Sequence, residues 1–491
     1  MRWWADIRRE VLVEGVSKRE VPRRQVPNAA SDVPMPHGGG TIMLRCARSW
    51  PRAQLTVAVC ILLLWWMAVN AAGQSLKVPE VGCRAEWDTP TDVLVHTPGQ
   101  ELFVGIIHPE AALFERAFSI DGAAAEHRQY IRRLRKAGAR VYTVVDALLA
   151  GTIDPRGQAV PGPALDQLRA FAKEFITVDA SALPAQEQTE QRAYLDQTIT
   201  ALNPRELVQI ILNCPTVHLR PSVVPNTRYA ASYEISPVMN LYFCRDQQIT
   251  TARGVVMGHM NSEQRAVETS ILRFVLRKLG IEPIYEVTGE GRLEGGDFIP
   301  AGDTAFLGQG LRTNAEAVRQ LLEHRVFGVP RVVVVKEPWK NQDQMHLDTY
   351  FNILGPKLAV LVRERMDVRD AAGDVVQPAR PDRRCSIDVY QLVGDGYQLT
   401  MRDGDFQEFL EKEMGFGLVP VSNDDQLNYG INFLCIGPGR ILGIAGVSED
   451  YRDRLRTEGV DATWMDFSNL TGGYGAAHCC VQVLHRKPTG Q

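Results

Sequence analysis

No Cys-x-x-Cys pair occurs in this chain, which removes the commonest framework for a structural zinc site. Long acidic or basic runs are also missing, and the formal net charge of −4 is small for 491 residues. The electrostatic footprint of a nucleic-acid binder is therefore absent. The apolar run Leu55–Val69 (LTVAVCILLLWWMAV) falls short of the ~20 residues that a comfortable membrane span needs. What is present is ordinary globular composition, 45% apolar and 23% charged, on a chain long enough for a large core.

Arg45, Arg48 and Arg52 precede the apolar run, and Asn70-Ala71-Ala72-Gly73 follows it. A charged lead, an apolar middle and a small-residue exit describe a secretory signal. Met43 supplies a start that gives this signal normal proportions over residues 43–73. Residues 1–42, rich in Arg, Pro and Gly, are read as disordered or as no part of the natural product. The expectation is export, to the periplasm or the medium, with no membrane contact once the signal is removed. The alternative is an uncleaved anchor at residues 43–73. Seven cysteines follow Gly73, scattered rather than spaced as a disulfide framework. Seven is odd, so at least one thiol stays free unless it bridges to a partner chain.

From residue 81 onward the patterning predicts an α/β chain built on a repeated strand, helix, strand unit. The first copy has Asp92–His96, a helix near Ala123–Lys136 and Arg140–Val145. The second has Val255–Gly258, a helix from Ser262 with Val267, Ile271, Phe274 and Val275 at helical spacing, Gly280 as its stop, and Ile281–Val287. The third has Ala305–Gly308, Ala315–Glu323 and Arg331–Val335. The fourth has Lys357–Arg363, Phe406–Met414 and Gly417–Val421. The fifth has Arg440–Ile444, Ser448 as helix cap ahead of Glu449 and Asp450, and Val460–Met465. Five such units argue for radial repetition around an axis, against a single open sheet. Residues 151–235 interrupt the pattern with helical periodicity at Leu165–Phe175, Glu187–Ala201 and Pro204–Leu212, and are read as a mostly helical insertion.

The chemistry-bearing residues fall at unit boundaries. The tail Thr471-Gly-Gly-Tyr-Gly-Ala-Ala-His-Cys-Cys480 presents a thiol on a loop of small residues that lets a substrate approach closely. Asp246, Glu294 before Gly295-Gly296, and His346 with Asp348 two residues on supply three carboxylates and an imidazole. In a strand His346 and Asp348 would share a face. Carboxylates pair bidentately with a guanidinium, so the set suits a planar cation. A cationic substrate and a nearby imidazolium both favour a thiolate. The sulfur can then attack the central carbon while the imidazole protonates departing ammonia and later activates water. No metal and no cofactor is expected.

In this order, Asn240-Leu-Tyr-Phe-Cys-Arg-Asp246, Leu293-Glu-Gly-Gly-Asp297, Gly310-Leu-Arg-Thr313, Met345-His-Leu-Asp-Thr349 and His478-Cys479 resemble arginine deiminase, from about Val81 to Arg486. The resemblance implies a five-bladed α/β propeller of ββαβ repeats, with a helical insertion after the first unit. It implies Cys479 as nucleophile, Cys480 as bystander, and His346 as acid and base with Glu294 beside it. Asp246 and Asp348 would grip the guanidinium; Asn240, Arg265 and Arg312 would hold the α-amino and α-carboxylate end. Two departures stand out: Tyr474 where the family usually has an arginine, and Gly475-Ala-Ala477 where it has three glycines. Loss of one cationic donor to a carboxylate weakens binding by ~1.5–3 kcal/mol.

The expected activity is hydrolysis of L-arginine to L-citrulline and ammonia, with a small-molecule substrate, no nucleic-acid partner, and oligomeric state left open. Alternatives are deimination of agmatine, a methylated arginine or a peptidyl arginine, amidinotransfer, or an exported arginine-binding protein on the same scaffold. Sequencing the mature N-terminus should find a start near Gln74; a protein beginning at Met1 or Met43 removes the cleaved signal.

Overall fold

The computed structural model describes residues 76–489. The expectations for residues 1–42 and for a signal or anchor at residues 43–73 lie outside the described residues. Among the described residues no helix is long and apolar enough to cross a membrane.

One three-stranded motif recurs five times: an antiparallel pair, then a helical segment, then a strand parallel to the second. It is formed by Gln248–Thr250, Val255–Met257 and Tyr285–Glu286 around the helix Ala266–Lys278. The next copy has Phe298–Ala301, Thr304–Gln309 and Arg331–Lys336 around Ala315–Glu323. Then come Phe351–Gly355, Leu358–Val362 and Gly417–Val421, with Phe406–Glu408 continuing into a wide helical turn, Phe409–Glu413. Leu434–Gly437, Arg440–Ile444 and Asp461–Met465 surround Glu449–Thr457. In the remaining copy the C-terminal strand Gln482–Lys487 runs antiparallel to Thr89–Val95, which is parallel to Arg140–Thr143 across the helix Ile120–Lys136. The hairpin Ser386–Val393 and Gly396–Asp405 widens one sheet to five strands. The chain is α/β, with sheets that are mixed and separate, none closing on itself.

Local chemistry sets the boundaries. Asn314 accepts from the Ala317 N–H and starts a helix whose Ala317, Val318 and Leu321 are buried at helical spacing. Ser448 caps its helix through the Tyr451 N–H, with Glu449 and Asp450 in the first turn. Gly280, at φ 79°, stops Ala266–Lys278 in the left-handed conformation that suits glycine.

Several expectations need correction. The strand expected over Arg140–Val145 ends at Thr143, whose side chain accepts from Asp146 N–H and opens a helix, Val144–Leu149. Ile281–Val287 narrows to Tyr285–Glu286. His346 and Asp348 do not lie on a strand, because Leu347–Thr349 is a tight helical turn with His346 at its start. Residues 151–235 hold helices Pro163–Lys173, Ala185–Ala201 and Pro204–Asn213, but also a sheet of Thr177–Asp179, Pro215–Pro221 and Tyr229–Ile235. Tyr229–Ile235 is largely exposed, so no apolar alternation announces it.

The apolar core lies between neighbouring sheets and their helices. Phe306, Phe351 and Phe406 meet edge to face, with centroids 5.1–5.9 Å apart, and lock two sheets and a helix together. This rigidity matters because each motif's leading strand is preceded by polar residues. Asp246 comes before Gln248–Thr250, Glu294 and Asp297 before Phe298–Ala301, His346 and Asp348 before Phe351–Gly355, Asn432 before Leu434–Gly437, and Cys479 before Gln482–Lys487. Buried Asn352 fixes one of these segments by donating to the carbonyls of Ile431 (2.8 Å) and Phe433 (3.0 Å), on either side of Asn432. Asn352→Ala strands both carbonyls and should lower unfolding free energy by ~1–3 kcal/mol in urea titrations; an unchanged midpoint removes this anchoring role.

Candidate active site

Cys479 is buried, and Asn432 holds it from three directions. Asn432 Nδ2 donates to Cys479 Sγ at 3.1 Å, and Asn432 Oδ1 accepts from the N–H groups of Ala476 (3.1 Å) and Cys479 (3.3 Å). On the other side Arg245 Nε donates to the His478 carbonyl at 2.7 Å. The turn that carries Cys479 is thus clamped between two neighbouring motifs. Asp348 Oδ2 lies 3.8 Å from Cys479 Sγ and 2.7 Å from His478 Nδ1, whose Nε2 is 3.4 Å from Glu86.

His346 Nε2 meets Glu294 Oε2 at 2.9 Å, and its Nδ1 is 4.0 Å from Asp246 Oδ1. Asp297 accepts from Leu347 N–H at 2.9 Å and fixes the turn below the imidazole. A Cβ at Gly296 would stand 2.6 Å from His346 Nδ1, so glycine is required there for the ring to sit as it does. Asp246 Oδ2 pairs with Arg265 Nη1 at 2.8 Å, and Glu268 takes the rest of that guanidinium through Nε and Nη2.

Asn240, Asp246, Arg265, Arg312, His346 and Cys479, all anticipated from sequence, line one cavity of about 20 Å³, with Tyr474 at its wall. Glu294 and Asp348 stand behind this lining, against His346 and Cys479. Asp246 Oδ1, Asp348 Oδ1 and Arg312 Nε are buried and lack partners. Cys480 is outside the lining. Arg265, expected at the substrate's far end, is committed to Asp246 and Glu268; Arg312 keeps looser contacts, to Gln342 at 3.0 Å and Glu294 at 3.8 Å. Sequence reasoning missed Asn432, the His478–Asp348 bond, and the roles of Glu86, Glu268 and Asp297. Among the described residues no group of three His, Cys, Asp or Glu is placed to hold a metal ion.

The family model described as arginine deiminase matches residues 110–486. The chain belongs to the arginine deiminase family. An arginine deiminase from Halobacterium salinarum is 27% identical, covering 83% of this chain and 97% of that protein. One from Metamycoplasma arthritidis is 26% identical over 80% of this chain and 94% of its own. A solved dimethylarginine dimethylaminohydrolase is similar at TM-score 0.43 and 15% identity, over 80% of this chain and 99% of that one.

Charge in this arginine deiminase family site is tightly balanced. Burial opposes a charge on His346, but the bond to Glu294 and the charges of Asp246, Asp297 and Glu294 outweigh it and raise the imidazole to about 9. Burial likewise opposes charge on Glu294, yet His346, then Arg312 and Arg265, pull it down to about 2. Asp348 is held low against burial by His478, then by His346 and Arg245. Burial raises Asp297 to about 6. Burial, then the charges of Asp348 and Asp246, push the Cys479 thiol well above its ordinary 9.0.

The signs of these shifts fix a pH window. The raised His346 contributes stability in full below its ordinary 6.5 and loses it as pH climbs through about 9. The lowered Glu294 contributes above its ordinary 4.5 and loses it as pH falls to about 2. Both are complete between those ordinary values. Breaking the buried pair with Glu294→Gln should therefore destabilise by about 3–5 kcal/mol near pH 5.5, with the gap closing above pH ~9. Melting curves across that range check it; a gap independent of pH removes the ion pair.

Proposed function

We propose that this chain hydrolyses L-arginine to L-citrulline and ammonia through a covalent intermediate on Cys479. The observation that carries this reading is one cavity lined by a thiol, an imidazole and a carboxylate, with Asp348 3.8 Å from the sulfur. The arginine deiminase relatives point the same way.

Asp246 and Asp348 accept from the guanidinium and keep it charged and electrophilic. Their charge, which favours the neutral thiol, is offset when the cation arrives; the thiol proton leaves to solvent and the thiolate forms. Cys479 Sγ bonds to the central carbon, and His346 gives its proton to the departing nitrogen, which leaves as ammonia. The product of this step is a thiouronium cation. Neutral His346 next removes a proton from water as the oxygen bonds to that carbon. Collapse breaks the C–S bond, and the oxygen's proton returns to the sulfur. Glu294 holds His346 in place and supports its charge throughout.

The five recurring motifs support reading the sheets as blades of a five-bladed α/β propeller, with the C-terminal strand completing the first blade. Residues 151–235 are then an insertion after that blade. Export is proposed on the segment at residues 43–73 alone. In an ammonia and citrulline assay with arginine, Cys479→Ser should lose at least ~1,000-fold activity while Cys480→Ser stays within about threefold; the reverse pattern overturns the nucleophile assignment.

A further inference from the structure

Asp246 and Asp348 share one arrangement: each has one oxygen tied by a buried donor and the other buried without a partner. Asp246 Oδ2 accepts from Arg265 Nη1 at 2.8 Å, and its Oδ1 makes no hydrogen bond. Asp348 Oδ2 meets His478 Nδ1 at 2.7 Å, and its Oδ1 makes none. An ionised carboxylate can only accept, so Nδ1 carries the hydrogen of that bond. Behind each donor stands a further buried glutamate. Glu268 pairs with Arg265 at 2.9 Å, and Glu86 Oε1 lies 3.4 Å from His478 Nε2. Nε2 makes no hydrogen bond, so this last contact is electrostatic and looser than the one to Asp348.

His478 has little freedom of its own. It is fully buried, its N–H donates to the Asn432 carbonyl at 3.1 Å, and its carbonyl accepts from Arg245 Nε at 2.7 Å. Glu86 is fixed in turn by Arg486 Nη2, while Arg486 Nη1 donates to the carbonyls of Asp88 (2.7 Å) and Cys435 (2.8 Å). Burial opposes a charge on Glu86, but Arg486 and then His478 pull it down to about 2. A buried chain thus runs from Arg486 through Glu86 and His478 to Asp348, and ends 3.8 Å from Cys479 Sγ. Neither Glu86 nor His478 lines the cavity. Their effect on a substrate there must pass through Asp348. A charged bond at one carboxylate oxygen fixes the plane of the group, and with it the direction of the other oxygen.

We propose that His478 and Glu86 are positioning residues that fix the plane of Asp348 from behind, so that its free oxygen is set to receive the guanidinium, as Arg265 and Glu268 do for Asp246. The inference rests on the deiminase reading of the cavity and adds two residues that act on the reaction without touching the substrate.

Arginine kinetics, and arginine binding to a Cys479→Ser protein by calorimetry, test it. His478→Ala should lower kcat/KM about 30-fold, the scale of one charge-assisted hydrogen bond. His478→Asn, whose amide donates from nearly the position of Nδ1, should restore it to within about threefold of the unchanged protein. Burial disfavours charge on Asp348, and its bond to His478 is the strongest opposing influence. The acidic limb of the kcat/KM profile should therefore move to higher pH in His478→Ala and return in His478→Asn. In the Cys479→Ser protein, His478→Ala should weaken arginine binding about tenfold and Glu86→Gln about threefold; once Asp348→Asn is also present, neither should weaken it by more than about twofold. Glu86→Gln keeps the volume of the side chain and runs the same cycle if alanine at position 478 unfolds the chain. An asparagine variant as impaired as the alanine one overturns the inference, as does an effect of His478→Ala or Glu86→Gln that persists undiminished after Asp348→Asn. Full activity of His478→Ala overturns it too and leaves the deiminase reading intact. Arginine that neither reacts with the unchanged protein nor binds the Cys479→Ser protein overturns the deiminase reading and the inference with it.

Discussion

Asp246, Asp348 and Glu294 are held out of water within one small space, and a buried carboxylate is unfavourable by several kcal/mol unless partners replace its hydration. Each acid has its own: Arg265 for Asp246, His346 for Glu294, His478 for Asp348. Cys479 Sγ accepts from the neutral Asn432 amide and lies 3.8 Å from Asp348 Oδ2. Burial with its acidic neighbours therefore holds the proton on the sulfur. A cation entering the cavity reverses that balance without any rearrangement of the acids.

Holding so many charges in register requires rigid supports, and the recurring motif supplies them. Asp246, Glu294, His346 with Asp348, Asn432 and Cys479 sit just before the leading strands of five sheets, where the backbone is about to be fixed by ladder hydrogen bonds. Cross-links between motifs tighten the set: Asn352 to the carbonyls beside Asn432, Arg245 to His478, Asp297 to Leu347. Placement by strand ends keeps the acids in position more firmly than long loops could.

This same regularity explains what was legible in sequence. Second strands and their helices carried clear apolar periodicity, so Ala315–Glu323, Gly417–Val421 and Arg440–Ile444 are found as expected. The leading strands Gln248–Thr250 and Leu434–Gly437 are short and gave no periodic signal. Missing Leu434–Gly437 meant missing Asn432, which stands in Gly430-Ile-Asn-Phe433 without a charged neighbour to advertise it. Its place before the fifth leading strand, matching Asp246, Glu294, His346 and Cys479, was the available clue. His346 and Asp348 were chosen by chemistry although the strand assigned to them was wrong. The exposed sheet at Tyr229–Ile235 had no such chemical signature and went unread.

The cavity itself has room for about one water molecule, so a guanidinium enters only as part of the wall moves outward. The acids and His346 are poor candidates for that movement, since each is tied to a strand end and a charged partner. Met345 and Tyr474 are not so tied: they lie on connections, and Tyr474 occupies a backbone conformation that its neighbours impose. Relaxing that conformation offsets part of the work of opening, whereas displacing Asp246 or Asp348 would strand a buried charge. Physical cost thus divides the site into an unyielding floor of paired acids and an adaptable rim.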